Sequence, residues 1–188
     1  GKASAQIMKE AFEKMFEATR LMKQGNQKGR VTVSAAPSFA AKWLMPRLYD
    51  FSAANEYIAV WVSADMAPVD FAVSDIDLAV RYGNGHYNGL NVEHLLAEAV
   101  VPVCSPLLFE AAPIKKPADL SHHVLLHDVG AETDPSCPDW PMWLKAHGVE
   151  GVDATRGPRF NQSSMVIEGA VAGRGVALAK RTIAEADL

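Results

Sequence analysis

Short β-branched runs alternate with longer stretches of helical spacing, and this alternation sets the expected architecture. Arg30–Ala35 reads as a strand, Pro37-Ser38 opens a helical stretch from Phe39 to Asn55, and Tyr57–Ser63 is a second strand. A short helix is expected near Val69 to Val73. Ile76–Arg81 is the third strand, closed by Gly83-Asn84-Gly85. Strands separated by helices predict a parallel sheet with right-handed crossovers.

A second unit of the same kind follows. Ala99–Cys104 is apolar but contains Pro102, which predicts an edge strand or a hinge, because proline cannot donate to a ladder. Ser105-Pro106 and Lys116–Leu120 open helical turns, and Val124–His127 is a strand. Asp128 to Asp139 is a polar loop. Trp140 to His147 is a helix ended by Gly148, and Arg159–Gln162 is a short strand. Ser163 starts a helix to about Ala172, Val176–Ala179 is a last strand, and a helical stretch ends the chain. The pattern predicts an α/β fold of two lobes, residues 30–103 and 104–188, behind a leader of residues 1–29.

The leader reads as one helix. Ala3 to Gln24 lacks Pro and Gly, and Met8, Ala11, Met15, Ala18 and Met22 recur at spacings of three and four. A stripe this rich in Met and Phe on a terminal appendage suits packing against a second subunit, with packing on its own domain as the alternative. Gly25-Asn26 stops the helix.

Charge separates the leader from the body. Residues 1–30 carry seven Lys/Arg and three Glu, a net of +4, while the whole chain is −4. The body is therefore acidic, at −8, and is a poor nucleic-acid binder by itself. Near-average apolar and charged fractions, 49% and 21%, exclude disordered, collagen-like and disulfide-scaffold classes. No run reaches the ~18 apolar residues of a membrane span. The N-terminus lacks the apolar core of a signal peptide. Two cysteines fit a reducing cytoplasm.

No catalytic constellation is present: no G-x-S-x-G, no phosphate-binding glycine loop and no H-E-x-x-H. No cofactor or metal is expected. His122, His123 and His127 lie at a loop and strand entry, where a spacing of four does not bring side chains together. Cys104 reads as a small core residue, and Cys137 sits in a proline-rich loop without an evident base.

Binding features are better supported. In parallel sheets ligands collect where strands end and helices begin. That rule selects Ser38 at the start of the first helix, Ser63 and Asp70 after the second strand, and Arg81 at the end of the third. In the second lobe it selects Gln162, Ser163 and Ser164, with His127-Asp128 as neighbours. Ser38, Asp70 and Ser163 are equally suited to capping helices, and Arg81 to pairing with an acidic surface residue. The set suits a small carboxylate or amino-acid-like ligand held between the lobes.

Several segments together resemble a known family. Ala11–Thr19, Val31–Leu48, Ile76–Gly85, Pro102–Pro106 and Gly173–Ala179 are similar to the LysR-type transcriptional regulators, in the subgroup of the glycine-cleavage activator and the β-lactamase regulator. The resemblance implies a periplasmic-binding-protein-like effector domain behind a dimerising linker helix. It implies an N-terminal winged helix-turn-helix ahead of Gly1, homodimers or homotetramers on promoter DNA, and a closing segment that returns to the first lobe. It also implies effector contacts at Ser38, near Asp70 and around Asn161–Ser164. Where many relatives have Thr, this chain has Ala36, which shifts work to backbone N–H groups. The expected protein is a cytoplasmic, non-enzymatic effector sensor without a membrane partner. The alternatives are a transporter's solute-binding protein and an enzyme on the same scaffold.

Overall fold

The computed structural model describes residues 29–130 and 137–187. The leader helix expected over 3–24 lies outside them. The chain divides into two compact units: residues up to Ala40 with Met45–Arg81, and Ala41–Leu44 with residues from Tyr82 onward.

Unit 1 is built on a three-stranded parallel sheet. Strand β1 (Arg30–Ala35) lies between β2 (Ala59–Ala64) and β3 (Leu78–Val80). β1 is central because its residues Thr32 to Ala35 are all buried. Between β1 and β2 the chain runs through α1 (Pro37–Phe39), a π turn (Ala40–Leu44) and α2 (Met45–Ala54). Pro37 sits where its fixed φ and missing N–H suit a helix start.

Three expectations are corrected here. β2 starts at Ala59, not Tyr57, because the Ile58 N–H donates to the Asn55 carbonyl and closes a turn first. β3 is only three residues long. One residue before it, the Asp77 carboxylate takes the Thr32 N–H at 2.7 Å, replacing a ladder bond by a side-chain bond. The helix expected near Val69–Val73 is a turn. Asp70 accepts the Ala72 N–H on its side chain and the Val73 and Ser74 N–H groups on its carbonyl. A short acidic side chain that bonds its own backbone competes with helix formation.

Unit 2 holds a four-stranded sheet, ordered β4 (Val100–Val103), β7 (Val176–Lys180), β5 (Leu125–Asp128), β6 (Arg159–Phe160). β5 pairs parallel with both neighbours, whereas β4 is antiparallel to β7. Pro102 stands on the edge strand, opposite Leu178, as its missing N–H requires. The α-helices among the described residues here are, in chain order, α3 (Pro106–Ala111), α4 (Trp140–Ala146), α5 (Ser163–Val171) and α6 (Arg181–Ala184). Ser105 and Asp139 cap α3 and α4 by accepting the Leu107 and Met142 N–H groups.

The core of unit 2 is Leu120, Leu125, Trp140, Leu144 and Val176. Cys104 packs against it, and burial pushes its thiol pKa up. Lys42 also belongs to this unit. Its ammonium lies 2.6 Å from Asp187 and 3.1 Å from Glu168. Burial alone would lower its pKa, but hydrogen bonds to the two carboxylates outweigh that and raise it.

Candidate functional site

In unit 1 Ser63 and Arg81 lie beside Ser34 near the carboxyl end of β1, and Ser38 follows three residues after that end. Ser63 is in register with Ser34, and Ser38 is buried in the first turn of α1. Ser38 is not the cap that sequence allows: the capping position is Ala36, which has no side chain to offer. Asp70 is exposed and caps its own turn.

Arg81 has a structural task. One guanidinium nitrogen donates to the carbonyls of Ser34 (3.1 Å) and Val80 (2.9 Å). The other donates to the Ser34 hydroxyl (2.8 Å) and the Ala67 carbonyl (3.0 Å). Four of its five N–H donors are thus turned onto the protein, so the side chain ties the end of β3 to β1 and to the turn after β2. The expected alternatives were a ligand carboxylate or an acidic surface partner, and these four acceptors are neither. Arg81→Lys should destabilise unit 1 by about 2 kcal/mol, because a single ammonium cannot span those acceptors. Chemical denaturation measures this. An unchanged midpoint with weakened ligand binding would return Arg81 to the ligand.

In unit 2 the structure brings His127 and Ser163 together and leaves Gln162 and Ser164 out of their pocket. The Ser163 hydroxyl donates to the Asp128 carboxylate at the end of β5. Here too the capping expectation fails: Gln162 is the capping residue of α5, without a side-chain bond, and it is exposed. The second oxygen of Asp128 accepts the Gly130 N–H. His127 is 5% exposed, and its Nε2 lies 3.1 Å from the Arg156 carbonyl. A carbonyl only accepts, so Nε2 carries a proton and donates in this contact.

His127, Asp128 and Ser163 line a cavity of about 30 Å³, together with Asp139, Cys137 and Lys180. Its apolar wall includes Val100, Leu126, Trp140 and Leu178. Cys137 is buried and shares this cavity with His127, a neighbour the spacing in sequence does not reveal. Asp139, Lys180 and Cys137 were missed as site residues. Lys180 was findable as the charge that ends an otherwise apolar strand, whereas Asp128, the carboxylate ending β5, is already placed beside the site by the sequence.

Gly130 and Gly157 shape this region. A Cβ at 130 would meet the Asn161 carbonyl and the Asp128 carboxylate, and one at 157 would overlap the Leu125 carbonyl oxygen. Among the described residues no group of three or more His, Cys, Asp or Glu could hold a metal ion. No described helix is long and apolar enough to cross a membrane.

The family model of the LysR substrate binding domain matches residues 24–188. The chain belongs to this family. It is 41% identical over 182 residues to the glycine cleavage system transcriptional activator of Escherichia coli K12, covering 96% of this chain and 58% of that protein. It is 31% identical over 180 residues to the transcriptional activator AmpR of Pseudomonas aeruginosa, covering 95% of this chain and 58% of that one. The effector domain of that AmpR superposes with a TM-score of 0.64 at 33% identity, over 82% of this chain and 71% of the other. CrgA, a LysR-type regulator of Neisseria meningitidis, shares the fold at a TM-score of 0.68 and 17% identity, over 99% of this chain and 61% of that one. The fold is therefore the α/β, periplasmic-binding-protein-like type of LysR effector domains. The chain spans little more than half the length of the curated relatives it matches, and those relatives are transcriptional regulators, which disfavours the solute-binding alternative.

Proposed function

We propose that this chain is the effector-sensing part of a LysR-type DNA-binding transcriptional regulator. The observation that carries the reading is the family match over residues 24–188, joined to 41% identity with a named transcriptional activator along nearly the whole chain. A small molecule shifts a conformational equilibrium, and only by the difference in its affinity for the two states. The basic leader relays the shift to promoter-reading domains in a homodimer or homotetramer. The chain itself catalyses nothing, and its workplace is the cytoplasm, where promoter DNA lies.

Ser38, Ser63 and Asp70 in unit 1, and His127, Ser163 and the neighbouring Gln162 and Ser164 in unit 2, are the proposed effector contacts. Arg81 holds Ser34, the residue in register with Ser63, and so supports the unit 1 contacts. Hydroxyl-bearing side chains at strand ends suit a small carboxylate or amino-acid-like ligand.

The test uses the intact gene product and its own promoter fragment. Fluorescence anisotropy, with a screen of small metabolites, should find a compound that changes promoter affinity or complex size. An intact product that shows no sequence preference among DNA fragments under any condition overturns the reading.

A further inference from the structure

We propose that Lys42 is an ionic clasp on a hinge, holding residues 41–44 on unit 2 until effector binding releases them. The inference rests on the effector-sensing reading and adds a regulatory device to it. The hinge is written in the backbone. Within a single helical run the chain changes units twice: Ala40 and Met45 belong to unit 1, and Ala41–Leu44 between them to unit 2. The same residues leave the α register. The Ala40 N–H reaches back four residues, to the Ala36 carbonyl, whereas the Met45 N–H reaches back five, to Ala40. Pro46 accounts for the break, because it lacks an N–H and its ring would clash with the Lys42 carbonyl in a regular helix. Single π turns of this kind are frequent at functional sites.

Backbone bonds hold this stretch less firmly than a regular helix, so side chains decide where it rests. The Lys42 Nζ lies 2.6 Å from Asp187, in the last turn (Glu185–Asp187), and 3.1 Å from Glu168 on α5. These partners are 145 and 126 residues away along the chain, so the contact exists only in the folded state. The Lys42 side chain is 15% exposed, Asp187 25% and Glu168 67%. The ammonium is thus shielded from water, while one of its partners stays open to solvent and salt. Two carboxylates gathered on one ammonium repel each other once it withdraws. The contact therefore has a closed state and an open one.

Connection along the chain links this clasp to the proposed effector contacts. Ser38 stands four residues upstream of Lys42, buried in α1, and α2 begins three residues downstream, at Met45. A ligand that draws on Ser38 acts on a stretch whose resting place Lys42 sets. Hinges are short segments at the ends of elements that absorb backbone change, and residues 40–46 have that form. An effector that binds the open form more tightly shifts the clasp by that difference in affinity and by no more.

The experiment has two arms. The first is amide hydrogen exchange of the 188-residue chain, read over residues 40–48, with the amides of β5 and β7 as the check that unit 2 stays folded. Lys42→Met keeps the aliphatic stem and removes the ammonium, and should speed exchange over 40–48 about tenfold or more. Lys42→Arg keeps the charge and should stay near the parent. Sodium chloride at about 1 M should speed exchange in the parent and add nothing in Lys42→Met, where no ion pair is left to screen. Asp187→Asn opens the clasp from the other side and gives the same reading if Lys42→Met fails to fold. Unchanged exchange in these variants overturns the clasp. The second arm measures the intact gene product on its promoter fragment by anisotropy, with no metabolite added. Lys42→Met should change promoter affinity about fivefold or more, the scale of a typical coupling between sites. Equal affinities with altered exchange would overturn the regulatory role. A parent protein without sequence preference would instead overturn the effector-sensing reading, and hydrogen exchange would still decide the clasp.

Discussion

Trp140→Ala is expected to destabilise unit 2 by about 4 kcal/mol, within the ~3–5 kcal/mol range for removing a buried tryptophan. Trp140 is 1% exposed at the first position of α4, inside the cluster formed with Leu120, Leu125, Leu144 and Val176. Its indole N–H donates to the Leu126 carbonyl on β5 at 2.9 Å, so the ring holds the helix start against the sheet. It also meets Trp143 edge-on, with centroids 5.9 Å apart. Two losses combine on truncation. The apolar area of a tryptophan, at about 25 cal/mol per Å², accounts for most of the cost. The lost indole hydrogen bond to the Leu126 carbonyl adds roughly 1 kcal/mol. Trp140→Phe separates them, because it keeps most of the area and loses only the donor, for an expected cost of about 1–2 kcal/mol. Urea denaturation followed by the remaining fluorescence measures both variants. If Ala and Phe cost the same, the hydrogen bond dominates and the packing account is wrong. Because Trp140 also walls the cavity, Trp140→Ala should loosen ligand binding at concentrations where the protein is still folded.

How much of this was legible in the sequence depends on the range of each interaction. Arg30–Ala35 was expected as a strand and is one, with the same bounds, because alternating β-branched residues are a local signal. The start of α4 at Trp140 was legible in the same way, from the apolar spacing that follows Asp139. Pro102 announced an edge, and the edge is where it lies. The turn at Asp70 was misread because apolar spacing over five residues looks helical, while the bonds that decide the matter come from one side chain to its own backbone. The site was less legible still. The residue types at strand ends are visible in sequence, but their tasks depend on partners far along the chain. Ser163 and Asp128 are 35 residues apart, and Arg81 and Ser34 are 47 apart. A serine at a helix start therefore reads as a cap whether it serves the helix or a distant carboxylate. Lys180 and Asp139 entered the cavity only because β7 pairs with β5 and α4 begins beside it.

Gly157→Ala is expected to cost more than about 3 kcal/mol and to displace His127. Gly157 has φ +133, which side-chain-bearing residues adopt only under strain. Steric overlap costs more than that strain. The chain from Arg156 to Pro158 lies against β5, where the His127 N–H donates to the Pro158 carbonyl at 3.0 Å and its Nε2 to the Arg156 carbonyl. A methyl group at 157 would overlap the Leu125 carbonyl oxygen and press on His127 Cδ2, so the segment must lift away from the strand it anchors. Lifting it breaks the two bonds that fix the histidine and loosens the β5–β6 pairing of His127 with Arg159. Gly148→Ala is the control. Gly148 also has a positive φ, +62, but a Cβ there meets nothing within 4 Å. It should therefore cost only the backbone strain of about 1 kcal/mol. Thermal denaturation gives the two stabilities, and the imidazole proton resonances of His127 report its surroundings. Equal destabilisation by the two substitutions would mean that backbone conformation alone, and not the close approach to β5, makes glycine necessary at 157. His127 would then keep its resonances in both variants, and the anchoring of the cavity wall by this segment would have to be abandoned.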